Sequence, residues 1–503
     1  MLLQRVFTIP PTFQRLGDHD ETQTQNNEQV AQDSAPQEVA VVPAKEENKL
    51  KELVTGAKVS GFGFARFFTI SGLGKNNNQG GESQQYRIKL DVTSGKVHGF
   101  SATAGLFFSQ GSSTPDTGSN TDGAVQGGRG TAFTNNFSDR FNISQIFASK
   151  EFDIGSTSTK IDAGKINISS PLSDNKVDLG TGFVANVKQK LGSGSIKYHA
   201  SFYDSWNGDH VGYNIRTRMA SDKHMDAAGV GIGNNLTLLG VGGNVMNKAL
   251  DFNIYAGNIY GFMDFLLYGE AKYGAKLGDS VKLSILAQTS MAALSGKPHL
   301  NLGLSGKSAT SAFDQELANA AKFRGLYNIQ AKLAIDKFSL KAGYLGSFGD
   351  GYGTLLDYKG GIDTAGKIWN GNLTATYEGL GMLGSGSFKN SSINVAYIAA
   401  EYGFKIPLKV GLDVAYVFGN TYMPELGVSP NDSESAINNN YFGSSANGAK
   451  VVGQEFIKNA SFVEITPHIT YKFFDKLELS FLAATLVGDI DFFKTRTELK
   501  YTF

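Results

Sequence analysis

The chain has no cysteine, so neither a disulfide framework nor a cysteine-ligated metal site is open to it. It has no surplus of either charge: 46 basic and 46 acidic side chains balance, which excludes the basic excess a nucleic-acid binder uses to displace counterions. Although 41% of its residues are hydrophobic, no run approaches the roughly 18 to 20 consecutive apolar residues of a membrane-spanning helix. Catalytic signatures are also missing. The seven histidines (19, 98, 199, 210, 224, 299 and 468) form no HExxH and no pair at metal-ligand spacing. No Gly-x-Ser-x-Gly elbow opens a helix, and the glycine-rich string at 229–243 lacks the lysine of a phosphate loop. No enzyme activity is expected.

Glycine, phenylalanine and tyrosine are plentiful instead, at 61, 35 and 20 residues, the mix that strands and tight turns favour. The residue order agrees. From Tyr86, Tyr-Arg-Ile-Lys-Leu-Asp-Val places Tyr86, Ile88, Leu90 and Val92 on one face and Arg87, Lys89 and Asp91 on the other. Residues 323–333 and 463–473 alternate in the same way, as do shorter runs at 196–202, 252–256, 281–287, 338–344, 410–418 and 477–483. Most span about 7 to 11 residues, enough for a tilted strand to cross hydrocarbon. A soluble sandwich alternates too, but its second face meets water outside a dry core. Here the polar faces carry both signs (Lys197, His199, Arg324, Lys332, Glu464, Lys472), which suits a wet interior. A chain that spans a membrane with strands must close them into a barrel, since an open edge leaves backbone groups unpaired in lipid.

The connections follow suit. Asp336-Lys337 and Asp475-Lys476 leave room only for tight turns, expected on the periplasmic side. Residues 109–139, 207–248, 291–321 and 421–456 are long and rich in Gly, Asn and Ser, and are expected to be extracellular loops. At roughly 45 to 55 residues per hairpin the chain accommodates about 16 to 20 strands, a size that leaves an aqueous channel. Residues 56–503 are therefore expected to form an all-β, transmembrane antiparallel barrel in the bacterial outer membrane. Residues 1–55 are expected to be a disordered segment, with a possible helical turn over 48–54, because 18–50 are acidic, Gln/Asn-rich and poor in large apolar groups. Residues 1–17 do not read as a secretory signal, so either the true start lies upstream, which is the expectation, or the export route is unusual.

Parity and early-strand position select Arg66, Arg87, Lys89, Asp91 and Lys165 as pore-lining residues whose charges would bias ion passage. Each could equally be a solvated wall residue. Arg66 shares parity with Phe62 and Phe64, so either a β-bulge intervenes or aromatics line part of the lumen. The last nine residues alternate as well, with Leu499, Tyr501 and Phe503 toward lipid. A closing strand ending on an aromatic is similar to the signal that barrel-assembly machinery recognises in this class.

Several motifs resemble the major outer membrane porins of the Campylobacter and Helicobacter group. They are Val59-Ser60-Gly61 before an aromatic strand containing Arg66, the Tyr86-Arg87 strand start, Gly164-Lys165 followed by Ser173-Asp174-Asn175-Lys176-Val177-Asp178 and Gly180-Thr181-Gly182, and Tyr203-Asp204-Ser205-Trp206. The resemblance covers residues 53 to about 206 and the final strand. It implies an 18-stranded homotrimeric general porin, passing ions and small hydrophilic solutes by diffusion through a channel narrowed by an inward loop, with a preference for cations. It also implies a calcium ion held by Asp178 and Asp209, which as plain residues are equally turn formers or loop solvators. Ser144 stands where the family has an arginine before Gln145, which removes one constriction charge. Two other functions are compatible with the sequence: a surface adhesin or structural barrel acting through its long loops, and a substrate-selective channel for sugars or peptides.

Overall fold

A computed structural model describes residues 44–73, 79–115, 141–208, 233–300, 320–357, 360–370, 379–424, 454–489 and 491–503. The chain divides into two units, Met1–Glu47 and Asn48–Phe503. Of the first, only 44–47 are described, and they belong to helix α1, Ala44–Thr55. The helical turn expected at 48–54 lies within this longer helix, as suits a run of Ala, Lys, Glu and Leu, all strong helix formers, and the disorder expected over 1–43 lies outside the described residues. The second unit contains the last turn of α1, whose Leu53 carbonyl accepts the Gly95 amide at 2.7 Å.

Eighteen strands follow. They are β1 Lys58–Leu73, β2 Gln79–Thr93, β3 Phe100–Pro115, β4 Phe141–Ile154, β5 Thr157–Asn167, β6 Leu179–Leu191, β7 Gly194–Asn207, β8 Leu236–Val245 and β9 Leu250–Ile259. The second half comprises β10 Met263–Lys276, β11 Val281–Leu294, β12 Phe323–Ile335, β13 Phe338–Gly349, β14 Asn394–Gly403, β15 Leu408–Pro424, β16 Gln454–Phe474, β17 Leu477–Gly488 and β18 Phe492–Thr502. Each pairs antiparallel with its sequence neighbours, and β1 pairs with β18. The barrel is closed, so no strand edge remains open to lipid. Short turns such as 155–156, 192–193, 336–337 and 475–476 lie on one rim, and the longer connections lie on the other.

The expected loop at 207–248 is corrected: β8 occupies part of it, disguised by its Gly240, Gly242 and Gly243. Tyr255 and Asn253 on β9 fill the space beside the first two, where a Cβ would come within 2.6 and 2.3 Å of them.

The outer surface reads as a membrane belt. Ile161, Leu239, Ile254, Ile285, Ile329 and Ile398 are exposed along the middle of the strands. Aromatics flank them: Tyr260, Phe265, Phe323 and Tyr327 toward the loops, and edge-to-face pairs Tyr402–Phe404, Tyr471–Phe473 and Tyr501–Phe503 toward the turns. Amphipathic rings at the two interfaces with aliphatic groups between them are what a lipid bilayer selects.

Candidate functional site

The lumen is the candidate site, and the opposite parity of every strand builds it. Register across the closing seam is unbroken from Phe62↔Thr502 to Ser71↔Phe493, so no bulge intervenes at Arg66. Phe62, Phe64 and Phe68 do face the lumen, between two cationic strands. The Arg66 guanidinium lies 4.3 Å from the Phe64 ring centre, Arg87 lies 5.6 Å from the same ring, Lys500 5.8 Å from Phe62, and Lys494 5.7 Å from Phe68. Aromatic faces hold cations by their quadrupoles, so the β18–β1–β2 wall keeps several positive side chains erect beside one another. Arg66 Nε donates to Glu498 at 2.6 Å, and Lys494 is only 8% exposed.

Of the five sequence candidates, Arg66, Arg87, Lys89 and Asp91 lie on the lumen face. Arg87, Lys89 and Asp91 are buried, however, leaving Arg66 as the member whose side chain is partly exposed. Lys165 is corrected to the outward face, opposite the exposed Ile146, and its ammonium reaches the Ile143 carbonyl at 2.6 Å. Apolar residues on both parities of that strand, Ile161 and Ile166, hid its register. Ser144 donates to Asp91 Oδ1 at 2.8 Å beside Gly105, where a Cβ would stand 1.8 Å from that oxygen. Leu499, Tyr501 and Phe503 all turn outward and exposed.

Two segments enter the lumen. The first is 168–178, between β5 and β6. Lys89 ties it to the wall by donating to the Lys176 carbonyl at 2.7 Å and to Asn167 Oδ1 at 2.9 Å. Asp178 is buried there and accepts the Asp174 amide at 2.8 Å. Among the described residues no group of three or more acidic or histidine side chains stands where it could hold a metal ion. Asp209 lies outside the described residues.

The second segment lies between β13 and β14, is described over 350–357, 360–370 and 379–393, and carried no signal recognised in the sequence. The wall holds it at several points. Buried Glu464 accepts the amides of Lys367 (2.6 Å), Ile368 (3.2 Å to each oxygen) and Trp369 (2.7 Å). Asp413 takes the Gly366 amide at 3.0 Å and lies 3.3 Å from Lys367 Nζ and 3.1 Å from His468 Nε2. Arg324 donates to the carbonyls of Ala321, Gly353 and Met382. Asn328 and Gln330 both donate to the Asp363 carbonyl. Fully buried Tyr352 hydrogen-bonds Thr421, and burial pushes its hydroxyl pKa up. Leu355, Leu380, Met382, Leu383 and Phe388 of this segment pack with wall residues such as Leu326, Leu345 and Val395 into a dry core.

The wet interior expected from the polar faces is thus corrected in part. Arg324, Glu464 and His199 are on the inner face as expected, yet each is buried. The two segments meet where Gly361 N donates to the Pro171 carbonyl at 2.6 Å and Asp357 N to the Leu172 carbonyl at 3.2 Å. The lumen is bridged there, and the open path is narrower than the barrel.

A closed barrel of this size, apolar outside and charged within, sits in a bacterial outer membrane and has the fold of its channels. Solved structures make the likeness specific. Pseudomonas aeruginosa OccK2 (OpdF), in complex with glucuronate, aligns at TM-score 0.53 with 11% identity over 90% of this chain and 97% of its own. Acinetobacter baumannii OccAB2 aligns at 0.52 with 13% identity, over 90% and 99%. The outer membrane protein opdK of Pseudomonas aeruginosa aligns at 0.51 with 11% identity, again over 90% and 99%. At such identities the likeness is one of fold. No family model matches the chain, and no curated protein does. The resemblance to the Campylobacter and Helicobacter porins stands on its quoted motifs alone.

Proposed function

We propose that the protein is a passive outer-membrane channel, narrowed by its two inward segments and selective for small anionic solutes. The observation that carries this is the inner face of the β18–β1–β2 wall, where Arg66, Arg87, Lys89, Lys494, Arg496 and Lys500 outnumber Asp91 and Glu498, and where Arg66, Arg496 and Lys500 are the cations partly exposed to the path. A cluster of one sign in a narrow aqueous path raises the local concentration of its counter-ions. The wall supports anions rather than the cations implied by the porin resemblance. The bridged lumen supports the substrate-selective alternative over an unrestricted general porin. OccK2 in complex with glucuronate and OpdK with vanillate each hold a carboxylate, which is compatible with this reading.

Homotrimeric assembly belongs to the same proposal, with conductance closing in steps of three as its signature. Bilayer recordings under a KCl gradient test the selectivity. The reversal potential should report chloride preference, and Arg66→Gln with Arg496→Gln should shift it toward potassium. A potassium-selective parent channel would overturn the assignment.

A further inference from the structure

Opposite the seam wall, the turn-side half of the lumen contains three lysine pairs in direct cross-strand register: Lys188↔Lys197 on β6 and β7, Lys276↔Lys282 on β10 and β11, and Lys332↔Lys341 on β12 and β13. All six have inward parity. Val184, Tyr268 and Gln330 on the same faces are buried, whereas Tyr198, Tyr273 and Ile329 on the intervening face are exposed. Each pair lies a few residues from a short turn, at 192–193, 277–280 or 336–337, so the three pairs share one end of the lumen.

Like charges directly opposite one another in a sheet repel. Among the described residues Lys341 is tied to Asp363 at 3.0 Å, while the ammonium groups of the other five have no ion pair or hydrogen bond. Of the acids nearby, Glu270 accepts from Tyr268, Gln288 and Asn253, and Asp251 on β9 stands in register with Lys272 rather than with any of the six. An unfavourable pairing repeated three times, with exposed and unpartnered ammonium groups, is suited to a counter-charge from outside the chain. All six are lysines and none is arginine. Lysine binds phosphate as a compact point charge with three rotatable donors, and two ammonium groups held side by side suit the closely spaced charges of linked phosphates. Residues directly opposite in antiparallel strands have Cβ atoms about 4.5 to 5.5 Å apart, so a short chain of linked phosphates can meet both ammonium groups of one pair at once.

We infer that the turn-side vestibule binds a soluble oligophosphate, a flexible chain of linked phosphate groups, and that its occupancy obstructs the channel from that side. The obstruction rests on the channel reading; the binding does not.

The test uses tripolyphosphate on the folded full-length protein in planar bilayers at low salt, added to one side at a time. Because the chain has no cysteine, Lys476→Cys in the 475–476 turn, probed with a membrane-impermeant thiol reagent, reports which side carries the turns. Block from the turn side should need at least roughly tenfold less tripolyphosphate than block from the loop side, a ratio that corresponds to about 1.4 kcal/mol. In a Lys188→Gln, Lys197→Gln, Lys276→Gln, Lys282→Gln variant this difference should vanish, as it should in the parent at 1 M KCl. Equal block from both sides, or asymmetric block unchanged in the variant, overturns the inference. If no conductance is seen, the channel reading fails instead. Calorimetric titration of tripolyphosphate into detergent-folded barrel then decides: binding lost in the variant supports the site, and no binding by the parent refutes it. Removing like-charge repulsion should not unfold the variant, and heat-modifiable gel mobility verifies this.

Discussion

Replacing Glu464 with alanine should unfasten the inner segment at residues 366–369. One carboxylate accepts three consecutive amides and the Thr466 hydroxyl, and the residue is 0% exposed. A buried amide left without an acceptor costs about 1 to 3 kcal/mol. Three such amides, taken toward the low end because lumen water reaches some of them once the contact opens, sum to about 3 to 5 kcal/mol. At about 1.4 kcal/mol per decade the local opening equilibrium rises by about two to three and a half decades. The segment bridges the lumen, so its release should appear in single-channel records as higher mean conductance and greater open-channel noise. Glu464→Gln retains one acceptor oxygen and should fall between parent and alanine variant. A Glu464→Ala protein that folds normally, with conductance and noise equal to the parent, would refute the view that this carboxylate clamps the constriction.

Two further outcomes are expected. Lys89→Met removes the bonds to the Lys176 carbonyl and Asn167, each worth about 1.5 to 3 kcal/mol as hydrogen bonds from a charged group. Hydrogen exchange at the Val177 and Asp178 amides, which bond to the Asp174 carbonyl, should accelerate at least tenfold in the folded barrel, and an unchanged rate would sink the anchoring role. Replacing Phe503 with serine should lower the yield of membrane-inserted barrel in cells while leaving the denaturant midpoint of purified protein nearly unchanged. A large loss of midpoint with normal yield would mean that Phe503 acts through stability and not through recognition.

The barrel was legible because lipid and lumen impose opposite demands on alternate residues. That contrast is written directly into 86–92, 323–333 and 463–473, and the tight turns at 336–337 and 475–476 followed from the same rhythm. It was not legible where alternation lapses. β8 has glycines on its inner face, and β5 carries isoleucine on both parities, which misplaced Lys165. The contents of the lumen were hidden for a different reason. Polar side chains at inward positions look alike in sequence whether they meet water or backbone, so nothing separated Arg324 and Glu464, which grip the 350–393 segment, from Lys332, which stays exposed. That segment's own Gly-Leu-Gly-Met-Leu-Gly-Ser-Gly stretch has no strand period. Its glycines serve close approach: a Cβ on Gly353 would lie 2.5 Å from the Gly381 carbonyl. Arg66 was the instructive ambiguity, since a strand with aromatics on its lumen face breaks the usual pattern and only the unbroken register with β18 resolves it.

The pairing of β1 with β18 joins the first strand of the chain to the last, and the Phe503 amide reaches the Gly61 carbonyl at 3.0 Å. The cylinder therefore works as a test of full-length synthesis. A chain halted anywhere before β18 retains two raw edges that neither water-free lipid nor another part of the same molecule can satisfy. Such a fragment has no stable place in the bilayer and stays available to periplasmic proteolysis, so a translation or export error anywhere along the chain is exposed at a single seam.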